Sequence, residues 1–299
     1  MSTLQGRVAI ITGAGRGLGR EHALLFAKLG AQVVVNDNGG APDGSGDLDR
    51  APAEEVAGLI RAHGGEAVAH VGSVSDWGTA QELIGVAVDT FGGLDVLVNN
   101  AGILRDRMLV NMSEAEWDAV IDVHLKGHFA PLHHAAAYWR GQAKQGTPRA
   151  AAVINTSSGS GLRGNPGQAN YASAKAGIAA MTVVAARELE RYGVRVNAIA
   201  PVARTRLTMA TPGLSDRLGA GDGFDEFAPE NVSPLVAWLA LADCQVSGQV
   251  FTVMGGHISL QQGWSVQENF DSSGRWTVDE LAKALAGLPA GPPPFAMSV

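Results

Sequence analysis

The chain has 299 residues, and 22 basic against 29 acidic side chains leave a net charge of −7. At 46% hydrophobic and 17% charged residues it is too apolar to stay disordered, and its acidic balance lacks the electrostatic footprint of a nucleic-acid binder. The single cysteine, Cys244, excludes an internal disulfide and a cysteine-based metal site.

In chain order, short branched apolar runs at 7–11, 32–36, 67–71, 95–98, 151–155, 194–199 and 249–253 read as buried strands. Residues 19–29, 52–63, 77–91, 114–142, 171–192 and 232–241 between them read as helices, three of them stopped at Gly30, Gly64-Gly65 and Gly92-Gly93. Neighbouring parallel strands need right-handed helical crossovers, so the alternation predicts a Rossmann-type α/β fold. The expected architecture is a doubly wound, seven-stranded parallel sheet with helices on both faces. Residues 39–46 and 201–229 are irregular. Residues 1–262 read as one domain, and 263–299 as a C-terminal extension with an amphipathic segment at 278–285. No apolar stretch approaches the ~18 residues that span a bilayer. With no basic-then-apolar leader at the first residues, a cytoplasmic protein without a membrane partner is expected.

In such sheets ligands bind beyond the carboxyl ends of the strands. After the first strand stands Thr12-Gly13-Ala14-Gly15-Arg16-Gly17-Leu18-Gly19, a turn in which glycine lets a phosphate approach backbone N–H groups at a helix start. Gly13, Gly17 and Gly19 are its expected essential members, with Arg16 and Leu18 beside the nucleotide. Asp37 ends the second strand, where a carboxylate accepts ribose hydroxyls and repels a 2′-phosphate, so NAD is favoured over NADP. A turn aspartate explains the same residue, and Arg16 points toward NADP. Ser73 and Val74 follow the third strand at a height suited to adenine, or to an ordinary turn. Asn99-Asn100-Ala101-Gly102 follows the fourth strand, where side-chain amides can hold a ribose and brace the sheet.

Tyr171 and Lys175 are four apart on a helix and therefore neighbours. An ammonium favours phenolate, which would let Tyr171 exchange a proton with a substrate oxygen. Ser158 follows the preceding strand and could hydrogen-bond the same oxygen.

Together these motifs resemble the short-chain dehydrogenases/reductases over residues 5–256. The resemblance implies NAD(P)-dependent interconversion of alcohol and carbonyl. Tyr171 would be the acid/base, Lys175 would bind ribose and lower the tyrosine pKa, and Ser158 would orient substrate. Val35-Asn36-Asp37 with its glycine-rich loop, Ala101 to Arg107, Val123 to Gly127 and Gly164 to Tyr171 resemble more closely the (3R)-hydroxyacyl-CoA dehydrogenase domains of multifunctional β-oxidation enzymes, whose relatives also oxidise 17β-hydroxysteroids. The implied substrate is a small molecule, an acyl-CoA or a steroid, and the implied assembly a homodimer or homotetramer. Two departures stand out. The family's helical asparagine falls on His124, which either keeps a water relay or fills space, and Pro201-Val202-Ala203 replaces the usual Pro-Gly, with Pro201 still expected beside the cofactor.

The loop after 202 mixes Arg204, Arg206 and Arg217 with Leu207, Met209, Leu214, Leu218, Phe224 and Phe227, which suits an acyl-CoA or an ordinary lid. Arg105 and Arg107 are equally ambiguous. Two other functions fit the motifs: an NADPH-dependent 3-oxoacyl-carrier-protein reductase, and a nucleotide-sensing protein that lost turnover. Retention of Ser158, Tyr171 and Lys175 argues against the second.

Overall fold

A computed structural model of the protein describes residues 3–209 and 223–289. Its sheet runs β1 (Val8–Thr12), β2 (Gln32–Asp37), β3 (Glu66–Val71), β4 (Val96–Asn99), β5 (Ala151–Thr156), β6 (Val194–Pro201), β7 (Val250–Met254) and β8 (His257–Gln261). The spatial order is β3-β2-β1-β4-β5-β6-β7-β8, so the order reverses between β1 and β4 and opens a crevice at their carboxyl ends. Helices α1 (Gly17–Lys28), α2 (Ala51–Ala62), α3 (Trp77–Phe91), α4 (Glu114–Ile121) and α5 (Gly127–Lys144) come from the first half. The second half adds α6 (Gly159–Arg163), α7 (Ala169–Leu189), α8 (Arg206–Met209), α9 (Ser233–Leu239) and α10 (Val278–Ala284).

Strand alternation feeds two cores. Ala9 and Ile11 of β1 point to one face with Phe26 and Val236, while Val8 and Ile10 point to the other with Leu83 and Trp139. Burial on both faces is why the central strands are unbroken apolar runs, each buried Val or Ile stabilising by about 1.5–3 kcal/mol. The Trp139 indole N–H, fully enclosed, donates to the Leu94 carbonyl at 2.8 Å.

The sheet departs from the seven parallel strands expected: an eighth, β8, pairs antiparallel with β7. Gly255-Gly256 forms the two-residue connection between Met254 and His257, with Gly255 at φ +52°, a conformation that favours glycine. The single helix expected over 114–142 is also divided. A π-helical segment, Asp122–Lys126, separates α4 from α5 and carries His124. Such insertions re-aim side chains and gather at functional sites. Beyond β8, α10 forms where the amphipathic segment lies but buries none of its residues. No helix among the described residues is long and apolar enough to cross a membrane.

His22 on α1 is wholly buried, its Nδ1 2.8 Å from the Ser233 hydroxyl at the start of α9. Burial depresses its pKa to about 3. The folded protein therefore keeps His22 neutral, whereas the unfolded chain takes up a proton near pH ~6.5. This contribution is complete above pH ~6.5 and is lost as pH falls toward the folded pKa. Between pH 7 and pH 5 the expected loss from His22 is about 2 kcal/mol. Urea unfolding at the two pH values measures it, and His22→Gln should flatten that difference.

Candidate active site

The β1–α1 turn shapes the floor of the crevice. Gly13 and Gly17 adopt φ of +61° and +55°, and a Cβ on Gly19 would lie 2.2 Å from the Gly13 carbonyl oxygen. Asn100 braces the turn from β4, its side-chain amide donating to the Thr12 and Gly13 carbonyls at 3.0 and 3.2 Å. The Thr12 hydroxyl accepts the N–H groups of both Asn100 and Ala101. Helix α1 has no side-chain cap, so its first N–H groups are left for a ligand.

One pocket collects nearly all the residues expected around a nucleotide: Gly13, Arg16, Gly17, Leu18 and Asp37, then Ser73, Val74, Asn100, Ala101 and Gly102. Gly19 lies behind it, against Gly13. Asp37 Oδ2 accepts from the Gly15 N–H at 2.8 Å, and Oδ1 from the Gly39 N–H at 2.7 Å. The turn role and the pocket role thus coexist, because a carboxylate keeps further lone pairs for a ribose.

Sequence reasoning missed several members of this pocket. Gly15, which does not line the pocket, is a packing constraint it overlooked beside it: a Cβ there would sit 2.6 Å from Pro52 Cβ and 2.9 Å from Asp37 Oδ2. Thr205, Arg206 and Leu207 also line the pocket. Arg206, read as a substrate or lid residue, instead shares the nucleotide crevice with Arg16 and Asp37. Its pKa is lowered chiefly by burial and next by Arg16, with Asp37 opposing. Arg204 forms an ion pair with Asp225. Arg105 donates to the Asp43 carbonyl, and Arg107 pairs with Glu116. Leu214, Arg217 and Leu218 lie outside the described residues. Pro201 is the last residue of β6 and does not line the pocket.

The chemistry-bearing side chains stand past Gly102. A Cβ on Gly102 would lie 2.4 Å from His124 Cε1, and the His124 ring packs edge-on against Tyr171 with centroids 5.1 Å apart. Lys175 is 2% exposed, and its ammonium donates to the Thr156 carbonyl at 2.5 Å and lies 5.5 Å from the Tyr171 ring centre. Burial lowers the Lys175 pKa to about 7. The Tyr171 phenol is raised above its usual value, first by burial, with the Ser158 hydrogen bond pulling it down and the Asp106 charge adding to the rise. The expected depression by Lys175 is not among the causes acting on the phenol, the lysine being itself desolvated.

His124 is buried and neutral, its pKa far below the imidazole range, chiefly through burial and then through Lys175. Its Nε2 lies 2.7 Å from the Ile103 carbonyl and 3.1 Å from the Ile103 N–H, while Nδ1 is buried without a protein partner. The ring therefore ties the 103–107 segment to the π-helical turn. The unpartnered Nδ1 is where a water could bind.

A pocket floored by an uncapped helix start and a glycine turn, with Gly102 on its wall backed by His124 and then by the Tyr171–Lys175 pair, defines a nucleotide-dependent α/β enzyme. The family model for short chain dehydrogenases matches residues 7–212. Hydroxyacyl-CoA dehydrogenase ChsB1 of Mycobacterium tuberculosis is 48% identical over 97% of this chain and 91% of its own length. Peroxisomal multifunctional enzyme type 2 of Drosophila melanogaster is 45% identical over 88% of this chain, which spans 40% of that enzyme. A crystal structure of a short chain dehydrogenase from Mycobacterium avium superposes with a TM-score of 0.86 at 52% identity, covering 99% of this chain and 100% of that one. The chain belongs to the short-chain dehydrogenase family. It is an oxidoreductase acting on CH–OH groups, and its family uses nicotinamide cofactors.

Proposed function

We propose that this enzyme interconverts a secondary alcohol and a ketone with NAD, and that its substrate is a 3-hydroxyacyl-CoA, with a hydroxysteroid as the second candidate. The observation that carries the reading is that Ser158 and Lys175 meet Tyr171, which packs on His124 directly behind Gly102, a residue of the pocket that also holds Asp37. The near full-length similarity to a hydroxyacyl-CoA dehydrogenase supports the substrate class.

The turn fits a dinucleotide, because Gly13 and Gly17, both at positive φ, line the pocket beside an uncapped helix start. Gly13, Gly17 and the α1 N-terminus would hold the pyrophosphate, Asp37 the adenosine ribose, and Asn100 and Lys175 the nicotinamide half. Bound there, the nicotinamide supplies a hydride acceptor or donor. Ser158 holds the substrate oxygen, and Tyr171 takes the hydroxyl proton in oxidation and returns it in reduction. Lys175 adds positive charge beside the phenol. His124 anchors a water next to this group.

Asp37 opposes a 2′-phosphate, whereas Arg16 and Arg206 favour one, and charge repulsion at short range decides for NAD. We propose further that copies associate as a homodimer or homotetramer. Phe129 on α5 and Val184 on α7, 45% and 53% exposed, support contact through these helices. Fluorescence titration should find NADH bound at least about tenfold more tightly than NADPH, a difference of about 1.4 kcal/mol. Rates on a panel of 3-hydroxyacyl-CoAs, hydroxysteroids and 3-oxoacyl-carrier-protein should rank the CoA esters first. Tighter NADPH binding with reduction of the carrier-protein ester would favour the reductase instead.

A further inference from the structure

Between the nucleotide crevice and α7 runs a strap, residues 103–107, tied down at each end. Its Leu104 N–H donates to the Pro42 carbonyl, and its Arg107 N–H to Gly167. The Asn170 amide donates to the Arg105 carbonyl at 3.0 Å. At the strap's centre Asp106 Oδ2 accepts from the Gln168 amide at 2.8 Å, while Oδ1 is buried with no partner. Gln168 is 5% exposed and is the residue before α7 begins, three before Tyr171.

The orientation of this amide is fixed on its other side. Gln168 Oε1 accepts from the Ser160 hydroxyl at 2.8 Å and from the Asn165 amide at 2.9 Å. Ser160 in turn donates its backbone N–H to the Ser158 hydroxyl at 3.2 Å. A continuous chain of hydrogen bonds thus runs from Asp106 through Gln168 and Ser160 to Ser158. We propose that Asp106 is a positioning residue for this reaction: through Gln168 it locks the Ser158 loop to the start of the Tyr171 helix and holds a carboxylate beside that helix start.

The placement has a chemical consequence. Tyr171 is faced by Ser158, by its own helix's Lys175, by neutral His124 and by Asp106. Around Asp106, Arg105 is turned to Asp43 and Arg107 is neutralised by Glu116, so neither cancels its charge. The carboxylate therefore opposes ionisation of Tyr171, holding it as the phenol until the positive charge of Lys175 and of a bound cofactor prevails. Burial raises the pKa of Asp106 itself, as expected for a carboxylate with one unpaired oxygen.

The inference rests on the reading of Tyr171 as acid/base, but its test does not need turnover. The chain has three tyrosines, Tyr138, Tyr171 and Tyr192. Ultraviolet titration of the wild type minus that of Tyr171→Phe therefore isolates the Tyr171 ionisation in the ligand-free protein. Asp106→Asn keeps an acceptor for Gln168 and removes only the charge. The Tyr171 ionisation should then move to lower pH, and in the oxidation assay the variant should gain about threefold in kcat on the acid side of the profile. Asp106→Ala also loses the hydrogen bond and should lower kcat about tenfold at its optimum through the loosened Ser158 loop. An Asp106→Asn protein whose Tyr171 titrates where the wild type does would overturn the proposal. If no alcohol is turned over but Tyr171 still shifts, the functional reading fails, and of this proposal only the coupling of Asp106 to Tyr171 stands.

Discussion

Replacing Tyr171 by Phe lowers kcat by about 10³-fold and leaves NADH affinity within about twofold of the wild type. The substitution deletes one hydroxyl and keeps the ring that packs against His124. The nucleotide pocket does not include this side chain, so binding should survive. Steady-state kinetics with a fluorescence titration of NADH separates the two effects. Loss of both together would mean that the ring organises the crevice and that its hydroxyl has no chemical role. Retained turnover would remove Tyr171 from the reaction altogether.

The second large effect belongs to Gly19→Ala, which should abolish measurable NADH binding and cost about 1–3 kcal/mol of stability. The added carbon would sit 2.2 Å from the Gly13 oxygen and 2.7 Å from the Asn100 amide nitrogen. One neighbour is backbone and the other is held by two hydrogen bonds, so neither yields without opening the turn. Urea unfolding and NADH titration of the same preparation check both parts. A variant that folds and binds normally would show that the β1–α1 turn tolerates displacement, contrary to its packing.

Much of this arrangement was legible in residue order. Central strands such as Ala151–Thr156 are buried along their whole length, so their apolar runs are continuous and unmistakable. Strand β8 was not legible, because His257, Ile258 and Leu260 lie exposed at a sheet edge and carry no such run. The π-helical turn at His124 was hidden for a different reason: one extra residue hardly disturbs a helical hydrophobic period. In the site, the glycine turn, Asp37 and the Tyr171–Lys175 pair are local patterns, read directly from spacing. Arg206 entering the nucleotide crevice, and Asp106 meeting Gln168 across 62 positions, are products of tertiary packing that no local pattern encodes.

The pH behaviour ties fold to site. His22 and His124 are both held neutral by burial, and Lys175 is brought to about 7 for the same reason. Burial that tunes the site thus also makes the fold lose stability as pH falls, since these histidines must charge on unfolding.

The most direct test of the central claim is turnover by the wild-type chain given NAD and a 3-hydroxyacyl-CoA, followed by NADH absorbance and by analysis of the CoA ester. One 3-oxoacyl-CoA should form for each NADH. Tight NADH binding with no turnover of any secondary alcohol would contradict it, and would mark the chain as a nucleotide sensor on an enzyme's fold.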